Sequence, residues 1–162
     1  MVRWLAAMLP RRRETPPRER ALRALERGDA AKAEALLDGL LAAFETPARE
    51  RAFLQNKRGV ARMRQLRAEA AAEDFRAALA LDPAHAPALV NLGNVALESD
   101  RIEEALQRYG EAAAADPNCA RAYAGASAAY KRLGRYDEAV RSWQTARRLA
   151  ARAIFSKALR RS

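Results

Sequence analysis

Ala105-Leu106-Gln107-Arg108-Tyr109, closed by Asp116-Pro117, is the centre of a pattern that decides the fold. Ala71-x-x-x-Phe75 with Asp82-Pro83 stands 34 residues before it, and Ala139-x-x-x-Trp143 stands 34 residues after it. A small residue, an aromatic one helical turn later and a proline at the unit's end describe a pair of helices. Such a pair cannot bury its apolar face alone, so the units stack into a solenoid whose open wall binds other chains.

The composition agrees. Alanine, leucine, arginine and glutamate dominate, β-branched residues are scarce, and seven glycines and seven prolines punctuate 162 residues. That favours helix almost throughout and gives no expectation of a sheet. The length suits one domain or a few stacked repeats with a continuous core. The single cysteine, Cys119, cannot form an intrachain disulfide, and the apolar run Trp4–Leu9 is too short for a secretory signal core. A reducing cytoplasm is therefore the expected compartment. Nothing approaches the roughly 20 apolar residues that span a bilayer.

The net charge of +10 sits at the ends. Residues 1–27 hold eight arginines and three glutamates (+5), residues 28–140 are near balance at −2, and residues 141–162 hold seven cations and no acid (+7). Arginine outnumbers lysine 26 to 4 beside abundant alanine. GC-rich coding produces the same bias, so charge speaks here to solubility and association, not to fold.

Along the chain, residues 1–17 read as a short helix followed by a basic, proline-containing linker. Residues 18–47 read as a divergent helix pair, broken at Gly28-Asp29, where glycine ends one helix and aspartate caps the next. Ala33, Leu37 and Leu40 share one face of the second helix, and Ala33-x-x-x-Leu37 lies 38 residues before the next unit. Residues 48–85 form the next repeat, with Thr46-Pro47 as N-cap and first-turn proline of a helix running to about Leu66, and a turn over Leu66–Ala70. Residues 86–119 form a repeat with one helix over Pro87–Leu97 and Asp100-x-x-Glu103 as a capping box for its partner. Residues 120–162 form the last, extended by a basic helix to about Leu159.

Leu92-Gly93 followed by Ala105, Tyr109 and Pro117, and Tyr123, Tyr130, Gly134, Ala139 and Trp143 at the corresponding later places, resemble the tetratricopeptide repeat. The resemblance covers residues 52–151 well and 14–47 loosely. It implies an all-α fold of antiparallel helix pairs stacked as a right-handed superhelical solenoid. Departures from the pattern are Arg58 in place of a leucine, Arg62 and Ala96 in place of an aromatic, and Ala151 in place of a third proline. The unit beginning near Ala52 is then expected to pack loosely or to place its arginines unusually. The last helix is expected to run on without a stop, with Ile154, Phe155, Ala158 and Leu159 covering the open end of the stack.

Gly59, Gly93 and Ser127 on first helices, and Ala71, Ala105 and Ala139 on second helices, mark close approaches. Phe75, Tyr109, Tyr130 and Trp143 match buried faces and read as core rather than as a base-stacking ladder. His85 is a lone, solvated turn residue without a metal cluster around it. Cys119 lacks a histidine partner for nucleophilic catalysis. No phosphate-cradling loop, nucleophile elbow or carboxylate pair stands out, so the chain is read as non-enzymatic and without a cofactor or metal.

In the family resembled, first helices line the inner wall. Counting from Gly59, Gly93 and Ser127, that wall holds Phe53, Asn56, Lys57, Val60 and Arg64, then Val90, Asn91, Asn94 and Glu98, then Arg121, Ala124, Gly125, Ala128 and Arg132. Asparagine offers a donor and an acceptor to an extended backbone. The cations favour an acidic segment, or one bearing a C-terminal carboxylate. The residues expected for a chaperone-type carboxylate clamp are only partly present. The reading is an adaptor that holds a peptide segment of a protein partner and helps assemble or localise a complex. The alternative is binding to nucleic acid or an anionic membrane through Trp4, Arg11, Arg12, Arg13, Arg147, Arg148, Arg152, Lys157, Arg160 and Arg161, with nucleic acid less favoured. Trp4, Leu5, Met8 and Leu9 would form the apolar face of a brief interfacial helix.

Overall fold

A computed structural model describes residues 15–43 and 45–159. The expected N-terminal helix, with Trp4 and Arg11 to Arg13, lies outside them, as do Arg160 and Arg161. The described residues form helices and turns without a strand: α1 (Pro17–Glu26), α2 (Ala30–Leu41), α3 (Ala48–Arg64), α4 (Ala68–Leu81), α5 (Ala86–Glu98), α6 (Ile102–Ala115), α7 (Ala120–Arg132) and α8 (Tyr136–Leu159). Consecutive helices pack as the pairs α1–α2, α3–α4, α5–α6 and α7–α8. First helices also touch across pair boundaries, α3 with α5 and α5 with α7, and no comparable contact joins α4 to α6 or α6 to α8. The stack therefore closes on the side of the first helices and opens on the side of the second, which makes the first-helix wall the concave one.

Each pair turns on one left-handed residue: Gly28 (φ +83°), Leu66 (+60°), Asp100 (+59°) and Gly134 (+71°). The following amide reaches back to the first helix, Asp29 to Ala24, Arg67 to Arg62, Arg101 to Ala96 and Arg135 to Tyr130, at 2.9–3.0 Å. That closes the helix end in the manner of a Schellman motif. Asp29 then caps α2 as expected, its side chain accepting from the Lys32 amide.

Three boundaries differ from the sequence reading. Asp100 does not open a capping box, because it occupies the left-handed turn position, Arg101 is the N-cap of α6, and no side chain caps that end. Pro47, not Thr46, sits at the N-cap of α3, and the Thr46 hydroxyl instead donates to the Ala43 and Leu40 carbonyls at the end of α2. The α3–α4 turn is shorter than Leu66–Ala70, since α4 already begins at Ala68.

Leu66 is 93% exposed, so its side chain packs on nothing while its backbone holds a conformation that a Cβ disfavours. Leu66→Gly is accordingly expected to stabilise the protein by about 1 kcal/mol. A higher urea midpoint with unchanged slope is the result to look for, and a fall in midpoint would show that Leu66 contributes something other than the turn.

The core runs from α1 to α7 as a series of clusters, with Phe75 (0% exposed) and Tyr109 (1%) its largest fully buried aromatic side chains. A Cβ at Gly59 would lie 2.5 Å from the Phe75 ring, and one at Gly93 would lie 2.6 Å from the Tyr109 ring. The small residues are needed where expected, and what they admit is the aromatic of the paired helix. Gly125 belongs to this set rather than to the open wall, because a Cβ there would lie 2.4 Å from Tyr109. Tyr109 is thus held between Gly93 of its own pair and Gly125 of the next.

Two packing expectations at the C-terminal end are corrected. Trp143 is 50% exposed, and Tyr130 is only partly buried, with the Arg135 guanidinium 4.7 Å above its ring. The extension of α8 forms as expected but does not fold over the stack: Ile154, Phe155 and Leu159 are 72%, 66% and 62% exposed. With neither proline nor glycine after Ala151, the helix continues past the start of α7 at Ala120, where Leu149, Arg152 and Ser156 lie beside Asn118.

Candidate functional site

The residues expected on the concave wall fall into two groups. Arg64 and Arg132 sit at the ends of α3 and α7, and each guanidinium donates to a carbonyl at the end of the preceding first helix, Leu25 for Arg64 and Leu97 for Arg132. Each carbonyl already accepts from the turn amide that follows its helix, Gly28 for Leu25 and Asp100 for Leu97, both at 3.1 Å, and a cation there also meets the negative end of the helix dipole. Arg132 lies in addition 3.5 Å from Asp100. Both arginines therefore join neighbouring pairs. Asn56 and Val90 are 3% and 2% exposed and Val60 packs in the core clusters, so none of the three presents much surface to a ligand. Asn56 accepts a 2.8 Å hydrogen bond from Asn91 Nδ2 and holds it in place.

The second group converges near the N-terminal ends of the first helices. Phe53 carries the Arg18 guanidinium 4.7 Å and the Lys57 ammonium 5.2 Å from its ring centroid. Lys57 is half-buried, and its pKa is lowered by that burial and then by the charges of Arg121 and Arg18. Arg121, on the first turn of α7, is exposed. Arg18 pairs with Glu50 at 2.9 Å. Arg18 is the member of this cluster that spacing from the glycines could not find, since α1 belongs to the divergent pair; α1 meets the stack only in three dimensions.

Asn91 and Asn94 continue the wall along α5. Asn94 is exposed and its Oδ1 accepts from the Tyr109 hydroxyl at 2.8 Å, which leaves the Nδ2 group as a donor. Asn91 donates to Asn56, which leaves its oxygen as an acceptor. Adjacent turns of one helix thus offer the two halves of a peptide backbone's hydrogen-bonding pattern.

His85 is not solvated as expected. It is the N-cap residue of α5, its side chain is 14% exposed, Nδ1 lies 3.5 Å from Asp82, and Nε2 is buried without a hydrogen-bond partner. Burial outweighs Asp82 and lowers its pKa, which keeps the ring neutral at physiological pH. Cys119 occupies the matching N-cap of α7 and packs half-buried against the core. Among the described residues no cluster of His, Cys, Asp or Glu could hold a metal ion, and no helix is long and apolar enough to cross a membrane. The basic alternative keeps Arg147, Arg148, Arg152 and Lys157, all exposed on α8.

The arginines that break the repeat pattern have a site of their own on the opposite side of α3. Arg58 holds Asp74 through Nε and Nη2 at 2.6–3.1 Å and Asp38 at 2.7 Å. Arg62 reaches Asp74 at 3.0 Å and Glu34 at 2.8 Å. Gln65 and Arg67 complete the shell of Glu34 at 2.7 and 2.9 Å. Three arginines meet three carboxylates, with Asp74 only 2% exposed. The unit is therefore not loose: ion pairs replace the missing leucine and aromatic.

Comparison with known proteins places this geometry. The stack is similar to the crystal structure of MamA, with a TM-score of 0.69 and 23% identity over 84% of this chain and 77% of that one. It is similar to pilF of Pseudomonas aeruginosa, with a TM-score of 0.72 and 25% identity over 82% of this chain and 59% of that one. It also matches the second TPR of Spaghetti (RPAP3) bound to the HSP90 peptide SRMEEVD, with a TM-score of 0.59 and 26% identity over 62% of this chain and 94% of that one. No curated protein matches the sequence. Tetratricopeptide repeat models match residues 63–124 and 120–146, together just over half of the chain and the same helices whose turns and aromatics repeat above. The chain belongs to the tetratricopeptide repeat family, whose members are typically non-enzymatic scaffolds for protein interaction.

Proposed function

We propose that this scaffold holds an extended, acidic segment of a protein partner in its concave groove and so helps assemble a larger complex. The observation that carries the reading is the pair of cations over Phe53, Arg18 and Lys57, with burial and then the charges of Arg121 and Arg18 lowering the Lys57 pKa while Glu50 pairs with Arg18. An anionic segment relieves that repulsion, and the amides of Asn91 and Asn94 lie beside it to take the backbone. The neighbour bound to the peptide SRMEEVD supports a peptide ligand in general. Asn91 and Asn94 are already held by hydrogen bonds within the protein, so ordering falls chiefly on the ligand.

The amides are poor probes of this site, because each already serves a hydrogen bond within the protein. Asn91→Ala with Asn94→Ala is expected to lower stability by about 1–3 kcal/mol as well as weaken binding. Lys57→Glu with Arg121→Glu leaves those bonds intact. Against labelled unstructured peptides of acidic, neutral and basic composition, the native chain should prefer the acidic one. The charge-reversed chain should lose at least about tenfold in affinity for it, and anisotropy titrations measure both. An unchanged order of affinities in the reversed chain would refute the groove. Retention of binding to DNA or anionic vesicles only, falling steeply with salt, would support the basic alternative instead.

A further inference from the structure

The last helix pair displays, uncovered, a surface that the preceding pair uses to receive a helix. Tyr136, Val140 and Trp143 on α8 stand at the repeat positions of Ile102, Leu106 and Tyr109 on α6. On α6 those side chains join the core cluster that Ala122 and Ala129 of α7 also enter, with Gly125 of α7 seated on the Tyr109 ring and Tyr109 1% exposed. On α8 the same positions are 65%, 51% and 50% exposed. With Ser127 and Ala139 they line a shallow apolar depression, and Ile154, three turns beyond Trp143, extends the stripe to roughly 27 Å.

Its rim differs from the inner junctions in one consistent way. Lys131 stands where Met63 and Leu97 stand on α3 and α5, and Arg147 stands where Leu79 and Ala113 stand on α4 and α6; those four apolar residues pack partly buried in the core. Arg147 lies across the Trp143 ring, 4.6 Å from its centroid. Residues 141–162, which include it, contain no acid. An apolar centre shaped for a helix, rimmed by cations at positions that elsewhere are apolar, specifies its occupant by charge as well as by shape.

We infer that this face of α7–α8 docks an acidic amphipathic helix of a partner protein, with a small residue over Trp143 and carboxylates against Lys131 and Arg147. A second copy of the chain fits worse, because α8 against α8 sets Arg147, Arg148 and Arg152 near their own likenesses. The site is separate from the groove and does not depend on what the groove binds.

The probe is a synthetic helix about sixteen residues long, roughly 24 Å, with an alanine stripe flanked by glutamates, and the same helix with lysines. The full chain should bind the glutamate helix at least about tenfold more tightly than the lysine helix, and Trp143→Ala should weaken that binding by about tenfold or more. Val140→Asp, at an exposed position, gives the same loss should Trp143→Ala disturb folding. Lys57→Glu with Arg121→Glu should leave it unchanged. Five results overturn the proposal: no binding of the glutamate helix, equal affinity for both helices, binding abolished by the groove substitutions, a dimer that Trp143→Ala converts to monomer, or vesicle binding lost on the same substitution.

Discussion

Tyr109→Ala is expected to lower the free energy of unfolding by about 3–5 kcal/mol, the largest effect of any single truncation in this core. The ring is 1% exposed and lies between two glycines on different pairs, α5 and α7. Its removal leaves a cavity at a junction, so α7–α8 should loosen from the stack before the remainder unfolds. Hydrogen exchange should then show α7 and α8 losing protection ahead of α3 and α4. A urea midpoint within experimental error of the native one would dismiss the packing scheme, since both Gly93 and Gly125 lie against the Tyr109 ring.

The hydroxyl makes the same residue an alkaline sensor. Burial, followed by the charge of Glu98, pushes the Tyr109 phenol up to about 12, against about 10 in an unfolded chain. Below pH 10 both states hold the proton and the full stability is present. Between pH 10 and 12 the unfolded chain alone ionises, so stability drops by about 2–3 kcal/mol across that window. Tyr109→Phe should cost about 1 kcal/mol at neutral pH through the lost bond to Asn94 and should flatten this part of the pH profile. An alkaline slope identical in the two proteins would place the titration elsewhere.

The sequence carried the fold well because a repeat states its geometry several times. The alanine-to-aromatic spacing located α4, α6 and α8, and the proline after each aspartate located the boundaries between pairs. Turn residues were less legible. Glycine at positions 28 and 134 announces a left-handed turn, whereas Leu66 and Asp100 adopt the same conformation without its signature, and Asp100 imitates a capping residue. The candidate site was legible only as a stripe. Which cations remain available depends on their surroundings: Arg64 and Arg132 hold helix-end carbonyls, while Lys57 and Arg121 make no ion pair with a carboxylate among the described residues. The covering of the stack end by α8 failed for a related reason, since an amphipathic pattern shows that a face is apolar and not what lies against it.

The second large effect concerns the ion network, and here the sequence supplied the anomaly without its resolution. Asp74→Ala is expected to cost about 3–5 kcal/mol, because it strands the Arg58 and Arg62 guanidinium groups beside a site emptied of its carboxylate. The network also links α2 to α3 and α4, so the divergent first pair should detach first. An acid limb should accompany it. The Arg62 hydrogen bond, against an opposing effect of burial, holds the Glu34 carboxyl below its ordinary value of 4.5. Its contribution is therefore present above about pH 4.5 and is lost as pH falls through the lower folded value. A buried ion pair nonetheless stabilises little compared with apolar side chains of similar volume. The triple substitution Asp74→Ala, Arg58→Leu and Arg62→Tyr, which installs the leucine and aromatic that the repeat pattern leads one to expect, should recover most of the loss from Asp74→Ala. It should also shed the acid limb that passes through Arg62 and Glu34. If the triple variant is as unstable as Asp74→Ala alone, the three charges are holding α2, α3 and α4 in a geometry that apolar packing cannot supply.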